Sequence, residues 1–271
     1  MKKVELTSPD KIVFEGVTKQ QVFDYYQSVA GRMMPYVGGR NLALVMCPKG
    51  VEEACFYKKN ADGTNIVIHS RDELLYHVQM NAIEFHTWGS LADTPDKPDI
   101  MVFDLDPDAG VSLSVVRQGA IDLKNILEEL GLVSFLKTSG GKGYHIVVPF
   151  AEAGDWENFS GFAGQIAKIM EAKCPKRYTT NIRKDARGNK IFVDWLRNGR
   201  GATSAAPYSL RAKAGAAISS PISWDELKKI TPNGITIKNI TKRLKQNDPW
   251  AEFFKIQKRQ KLCKQIYGTK G

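Results

Sequence analysis

Apolar positions recur at helical spacing in some stretches of the chain and gather into short, strand-length runs in others. Residues 112–130 are the clearest case: Val116, Ala120, Leu123, Leu127 and Leu130 follow one another at steps of four and three, and Gly131 comes next. That period lays one apolar stripe along a helix, and a glycine just past the stripe is a stop signal. Residues 155–173 read as a second amphipathic helix. Residues 18–34 read as another, with Thr18 and Gln21 spaced as a capping box and Pro35 near the end. Ser223 and Glu226 form a second capping box opening a helix over 223–230. Asp248, with Pro249 at the first helical position, opens a C-terminal helix. Runs at 41–47, 54–58, 65–69, 100–106, 132–138, 144–150 and 190–196 have the length and flanking turn residues of strands.

Strands and helices do not alternate strictly, and the runs at 132–138 and 144–150 flank a single Gly-rich turn, which implies antiparallel pairing. The predicted fold class is α/β (α+β), with mixed and antiparallel sheets flanked by helices and not a doubly wound sheet. A chain of 271 residues can bury a substantial core, and no linker or internal repeat divides it. One domain over residues 1–271, made of two closely packed modules, is expected.

Charge narrows the choice of partner. Lys and Arg number 39 against 29 Asp and Glu, a net +10, which favours nucleic acid or an anionic membrane over a neutral surface. Residues 242–271 hold nine Lys and Arg against two acids, 9 − 2 = +7, so the excess is concentrated in a basic helical C-terminal segment. The N-terminus, MKKVELTSPDKIVFEG, lacks the apolar segment of a signal peptide, and no run is long enough to span a membrane. A soluble, cytoplasmic, nucleoid-associated protein with no membrane partner is expected. Cys47, Cys55, Cys174 and Cys263 lack C-x-x-C spacing and read as reduced, mostly buried thiols.

Three motifs carry chemistry. In IMVFDLD, residues 100–106, strand alternation puts Asp104 and Asp106 on one face and Phe103 and Leu105 on the other. Two carboxylates so close repel unless a cation lies between them, and hard oxygen ligands suit Mg2+ or Mn2+. An exposed acidic turn is the plain alternative. A calcium loop fails, because Ala109 and Val115 stand where its Gly and Glu belong. In TSGGKGYH, residues 138–145, Gly140, Gly141 and Gly143 can bring backbone N–H groups to an anion, with Ser139, Lys142 and His145 beside them. A Gly-rich hairpin turn would look the same. The segment is no Walker loop, since no Ser or Thr follows Lys142. In FVDWLRN, residues 192–198, Asp194 sits in an apolar strand and needs either a metal or a basic partner such as Arg197. Asn198, Thr203 and Arg211 add polar groups downstream.

The order and character of these motifs resemble the polymerase domain of bacterial DNA ligase D and its stand-alone archaeal relatives, within the archaeo-eukaryotic primase superfamily. The resemblance runs from about Leu6 to about Pro221 and is carried by TSPDKIVFEGVTKQQVFDYY, GRNLALVMCPKG, FYKKN, EFHTWGS, FDLDPD, TSGGKGYHIVVP, FVDWLRN and ATSAAPYSLRA. It implies an archaeo-eukaryotic primase-like fold. It implies a template-directed polymerase that fills gaps and extends broken DNA ends in non-homologous end joining, prefers ribonucleotides and is well served by Mn2+. By the same resemblance Asp104, Asp106 and Asp194 hold two metal ions, while Ser139, Lys142, His145, Arg211 and His86 meet the nucleotide, an NTP or dNTP. Lys11 and Lys19 fall on the recognition of a DNA 5′-phosphate, with Ser8 where the family usually has Asn. Phe56 and Tyr57 fall on a pair that can stack on the template base, though strand alternation is expected to bury one of them. Lys59 falls on a nearby DNA-binding position. A separate DNA ligase and a Ku-like protein are the implied partners, because no ligase segment follows the polymerase-like region in this sequence. A primase starting strands without a primer, or a non-catalytic DNA-end-binding module, are the alternatives.

Overall fold

The computed structural model describes residues 4–61, 63–151 and 154–262. A two-stranded hairpin, β1 (Ile12–Phe14) with β2 (Val17–Thr18), leads into α1 (Lys19–Val37). The capping box is formed: the Thr18 hydroxyl accepts the Gln21 amide, and the Gln21 side chain accepts the Thr18 amide at 2.8 Å. Pro35 lies inside the last helical turn instead of ending it, and the Gly38 amide closes the helix onto the Met34 carbonyl.

β3 (Arg40–Met46) is buried along its whole length and β4 (Phe56–Lys58) is exposed along its whole length. A small hairpin, β5 (Asn60–Ala61) with β6 (Thr64–Asn65), precedes α2 (Arg71–Gln79) and β7 (Ala82–Leu91). The strand expected over 65–69 shrinks to this short pairing and one bridge between Leu42 and Ile66. Neither α2 nor β7 stands out in the sequence. β7 is buried on both faces over residues 82–87, so it lacks the alternation that marks a half-buried strand.

The second half contributes β8 (Ile100–Pro107), α3 (Leu113–Glu129), β9 (Phe135–Thr138), β10 (Tyr144–Pro149), α4 (Trp156–Lys173), β11 (Tyr178–Thr179) and β12 (Ile191–Asp194). Then come β13 (Ser204–Ala205), the hairpin β14 (Ser209–Leu210) with β15 (Ile218–Ser219), and β16 (Pro221–Ile222). Last are α5 (Ile240–Leu244) and α6 (Phe253–Arg259). The second capping box forms, but it caps only a single turn at Trp224–Glu226. The chain turns at Asp248, whose carboxylate accepts the Trp250 amide, and α6 begins five residues on.

Two sheets result. The larger has the order β11-β12-β8-β10-β9-β16 and is antiparallel except for the parallel pair β11–β12. The smaller has the order β13-β7-β3-β4. Gly119 of α3 lies against Ile191, Tyr178 and Leu105, so α3 covers the face of the larger sheet that carries Leu105 and Phe103. The opposite face carries Asp104 and Asp106 and turns toward the smaller sheet.

The cysteine expectation is corrected. Cys47 and Cys55 form a disulfide. The β3–β4 register pairs Met46 with Phe56, so the next residues outward, Cys47 and Cys55, face each other with Cα atoms 4.5 Å apart. Hairpin register, not sequence spacing, makes the pair. Cys174 is a free thiol, and Cys263 lies outside the described residues.

The basic C-terminal segment is not a free-standing solvated helix. Trp250, Phe253 and Ile256 are buried in the core, the Trp250 indole donates to the Leu136 carbonyl, and Gln260 ties the segment to Val133 and Pro149. Of its described lysines, Lys242, Lys245, Lys255, Lys258 and Lys261 are exposed. No helix among the described residues is long and apolar enough to cross a membrane.

Candidate active site

Strand register aligns the chemistry in one row. Asp194 on β12 lies opposite Asp104 on β8, Asp104 lies opposite His145 on β10, and His145 lies opposite Lys137 on β9. Residues directly opposite one another share a face, and Asp106 shares it too, two residues from Asp104. The three carboxylates predicted from the sequence therefore lie on one face of the larger sheet.

Each carboxylate leans on a cationic or hydrogen-bonding partner. His145 Nε2 stands 3.4 Å from Asp104, Arg187 is 2.8 Å from Asp106, and Arg197 is 2.9 Å from Asp194. The Arg197 partner is the one the sequence offered as the alternative to a metal. Arg187 was not legible: its guanidinium is buried, lies over the Phe192 ring and reaches Asp106 across 81 residues of sequence. Burial works against ionising Asp104, but His145 and the guanidiniums of Arg197 and Arg211 outweigh it and hold the carboxyl below its ordinary range. Asp194 goes the other way, raised by burial and by the charge of Asp104 against the pull of Arg197.

Among the described residues, no three His, Cys, Asp or Glu side chains converge closely enough to hold a metal ion in this arrangement. Asp106 and Asp194 are paired with Arg187 and Arg197 instead. The donor set itself fits a hard divalent ion, being three carboxylates on one face of two neighbouring strands.

Lys137 is a second residue the sequence did not reveal. Its ammonium is almost fully buried and donates to His145 Nδ1 at 2.6 Å, the Ala205 carbonyl at 2.8 Å and Ser219 Oγ at 2.7 Å. It fastens β9 to β13 of the other sheet. Burial, with Arg211 nearby, pushes the Lys137 ammonium well below the usual lysine range. Burial and Lys137 bring His145 down to about 4, so the ring is neutral at pH 7. With Nδ1 accepting from Lys137, Nε2 carries the ring proton and faces Asp104.

The Gly-rich turn corrects one expectation. The amides of Gly141 and Gly143 do not point to an external anion; both donate to Ser139 Oγ, at 3.1 and 3.3 Å, and the Gly140 amide donates to the Pro232 carbonyl. Ser139 is buried inside the turn that it closes. Its oxygen already accepts two hydrogen bonds, so its own proton is available for donation. The glycines are needed for close approach instead. A Cβ on Gly143 would sit 1.8 Å from the Leu105 carbonyl oxygen, and one on Gly140, at φ +68, would sit 2.4 Å from Arg211 Cγ. Asn198 is also structural: its side-chain amide pairs with both backbone groups of Val102.

A cleft of about 420 Å³ has Tyr57, Lys59, His86 and Thr203 in its wall. A second, of about 330 Å³, has Ser139, Lys142, Arg187 and Lys213. Asp104, His145 and Arg211 line both. His86 on β7 and Arg211 are joined through a buried carboxylate, Glu84, at 2.7 and 2.8 Å. Phe56 and Tyr57 are 52% and 63% exposed, so neither is buried, contrary to the expected alternation. β4 is a three-residue edge strand with a partner on one side only. Tyr57 meets the His86 ring edge-on.

Ser8, Lys11 and Lys19 gather separately at the N-terminus of α1. The Lys11 amide donates to the Ser8 carbonyl and the Lys19 amide to the Lys11 carbonyl. The Lys19 ammonium donates to the Thr7 carbonyl at 3.0 Å, and Lys11 reaches Pro48 and Asn81. Burial lowers both lysines, Lys19 further through the charge of Lys11.

Comparison with known proteins gives one consistent result. A model of the family described as LigD, primase-polymerase domain, matches residues 18–250. The multifunctional non-homologous end joining protein LigD of Mycolicibacterium smegmatis is 33% identical over 247 residues, covering 83% of this chain and 32% of the relative. The bifunctional non-homologous end joining protein LigD of Bacillus subtilis is 29% identical over 272 residues, covering 93% of this chain and 44% of the relative. The chain thus spans less than half the length of these relatives. The polymerase domain from Mycobacterium tuberculosis ligase D, solved in complex with DNA, superimposes with a TM-score of 0.85 at 28% identity, covering 93% of this chain and 98% of that one. The mixed sheets flanked by helices are therefore the archaeo-eukaryotic primase-like architecture of that domain.

Proposed function

Because the chain belongs to the family of LigD primase-polymerase domains, we propose that this nucleotidyltransferase is a template-directed polymerase. It fills gaps and extends broken DNA ends in non-homologous end joining, with a preference for ribonucleotides. The observation that carries the reading is the row Asp194, Asp104, His145, with Asp106 beside it; Asp104, Asp106 and His145 line a cleft together with Lys142, Arg187 and Arg211. The DNA bound by the related mycobacterial domain supports DNA as the substrate.

Asp104, Asp106 and Asp194 would hold two Mn2+ or Mg2+ ions, which when bound neutralise phosphate charge and make the primer 3′-hydroxyl more acidic. The residues of the chain do the rest. Ser139 donates its free proton to a phosphate oxygen. Lys142 and Arg211 stabilise negative charge on the β- and γ-phosphates. His145, neutral at pH 7, and His86 orient the nucleotide by hydrogen bonding. Phe56 and Tyr57, exposed at a sheet edge, stack on the template base, and Lys59 meets the DNA backbone. Ser8, Lys11 and Lys19 bind the 5′-phosphate across the gap. The enzyme acts on nucleoid DNA together with a DNA ligase activity and a Ku-like protein.

The test is incorporation on a one-nucleotide gap, comparing NTP with dNTP, with and without the 5′-phosphate, under Mn2+ and Mg2+. The expected result is templated incorporation, favoured by NTP, Mn2+ and the 5′-phosphate. Absence of templated incorporation under both ions would overturn the reading.

A further inference from the structure

Glu84 is a buried carboxylate that this mechanism leaves without a task. It is 5% exposed on β7. Its Oε2 accepts from His86 Nε2 at 2.7 Å and from Arg211 Nε at 2.8 Å, and its Oε1 accepts the Ala212 amide at 2.7 Å. A carboxylate out of water keeps its charge only with partners of this kind. Two of the three partners line the cleft.

The contacts decide which atoms face a ligand. Arg211 uses Nε on Glu84 and Nη1 on the Ser139 carbonyl, so its guanidinium bridges the smaller sheet to the Gly-rich turn. Neither contact uses Nη2, the nitrogen left for an anion. His86 donates through Nε2 to the carboxylate, so a neutral ring keeps Nδ1 as a hydrogen-bond acceptor. The side chain of Ala212 could not do this job; only its backbone is used, which ties the segment after β14 to the same carboxylate.

We propose that Glu84 is a positioning residue for nucleotide binding: one carboxylate sets the guanidinium of Arg211 and the tautomer of His86 together. A nucleoside triphosphate then meets a fixed cationic nitrogen on one side and a fixed acceptor nitrogen on the other, with no reordering of either side chain on binding. The inference rests on the reading of Arg211 and His86 as nucleotide-binding residues.

Gap-filling kinetics on E84Q, R211M and the double variant test it. E84Q should raise the nucleotide KM about tenfold, the effect of losing one charge-assisted hydrogen bond. The KM for gapped DNA should stay near wild type, while the melting temperature falls because Arg211 loses its buried ion-pair partner. In the R211M background, E84Q should add less than about threefold, because residues acting as one unit are non-additive. Selective 15N-histidine labelling of the wild-type protein should show His86 protonated at Nε2 and bare at Nδ1. If R211M raises the nucleotide KM and E84Q does not, this inference fails alone. If R211M leaves the nucleotide KM unchanged, the functional reading fails and takes this inference with it. Should E84Q unfold, the wild-type spectrum decides: a His86 carrying its proton on Nδ1 overturns the proposal.

Discussion

Each carboxylate of the site has its own partner. Asp104 faces His145, Asp106 faces Arg187, Asp194 faces Arg197 and Glu84 faces Arg211. The acidic members Asp104, Asp106 and Asp194 were legible in the sequence, because alternation along a strand and the cost of burying a lone carboxylate are local facts. Their partners were not, since Arg187 and Lys137 acquire roles only when strands far apart in sequence become neighbours. Ser8 shows the same limit in reverse. It sits at φ +51, in the left-handed region that Asn tolerates better than Ser, where the resemblance expects Asn. Ser8→Asn should therefore raise stability by roughly 0.5 kcal/mol, read as a higher melting temperature. It should also tighten binding to a gap carrying a 5′-phosphate. A lower melting temperature would contradict the backbone argument.

At the scale of elements, capping signals and apolar periods located α1, α3 and α4 within a few residues, whereas α2 and β7 escaped. The disulfide escaped too, because a hairpin's register is not written in the spacing of its cysteines. The Ser223–Glu226 box was visible, but its larger task was not. Glu226 also accepts from both terminal nitrogens of Arg243, at 2.7 and 2.8 Å, anchoring α5 to the turn before it. The Arg243 hydrogen bonds, helped by Ser223 and opposed by burial, bring the Glu226 carboxyl down to about 2, from an ordinary value of 4.5. A carboxylate with a depressed folded pKa contributes stability above its unfolded value, and that contribution fades as pH falls through the folded value. Wild type should thus melt above Glu226→Gln at pH 6 and above. The gap should narrow below about pH 4.5 and close near pH 2. A gap independent of pH would rule out the ion pair as its source.

At the scale of the molecule, the candidate site exists because two sheets meet. The larger sheet supplies Asp104, Asp106, Asp194 and His145, the smaller supplies Glu84 and His86, and Lys137 and Arg211 bridge them. The C-terminal segment is part of that body, since its removal from residue 242 would strip Trp250, Phe253 and Ile256 from the core. Its charge is better tested by substitution. Changing the exposed Lys242, Lys245, Lys255 and Lys258 to Gln should make DNA affinity less steeply dependent on salt, by roughly 0.9 in the log–log slope for each phosphate no longer neutralised. An unchanged slope would mark these lysines as a solvated surface. The most direct test of the central claim is extension of a one-nucleotide gap bearing a 5′-phosphate by purified wild type and by Asp106→Ala, with Mn2+ and NTP. Wild type should fill the gap and a folded Asp106→Ala should not; substantial residual filling by the variant would contradict the assignment of these carboxylates as the catalytic centre.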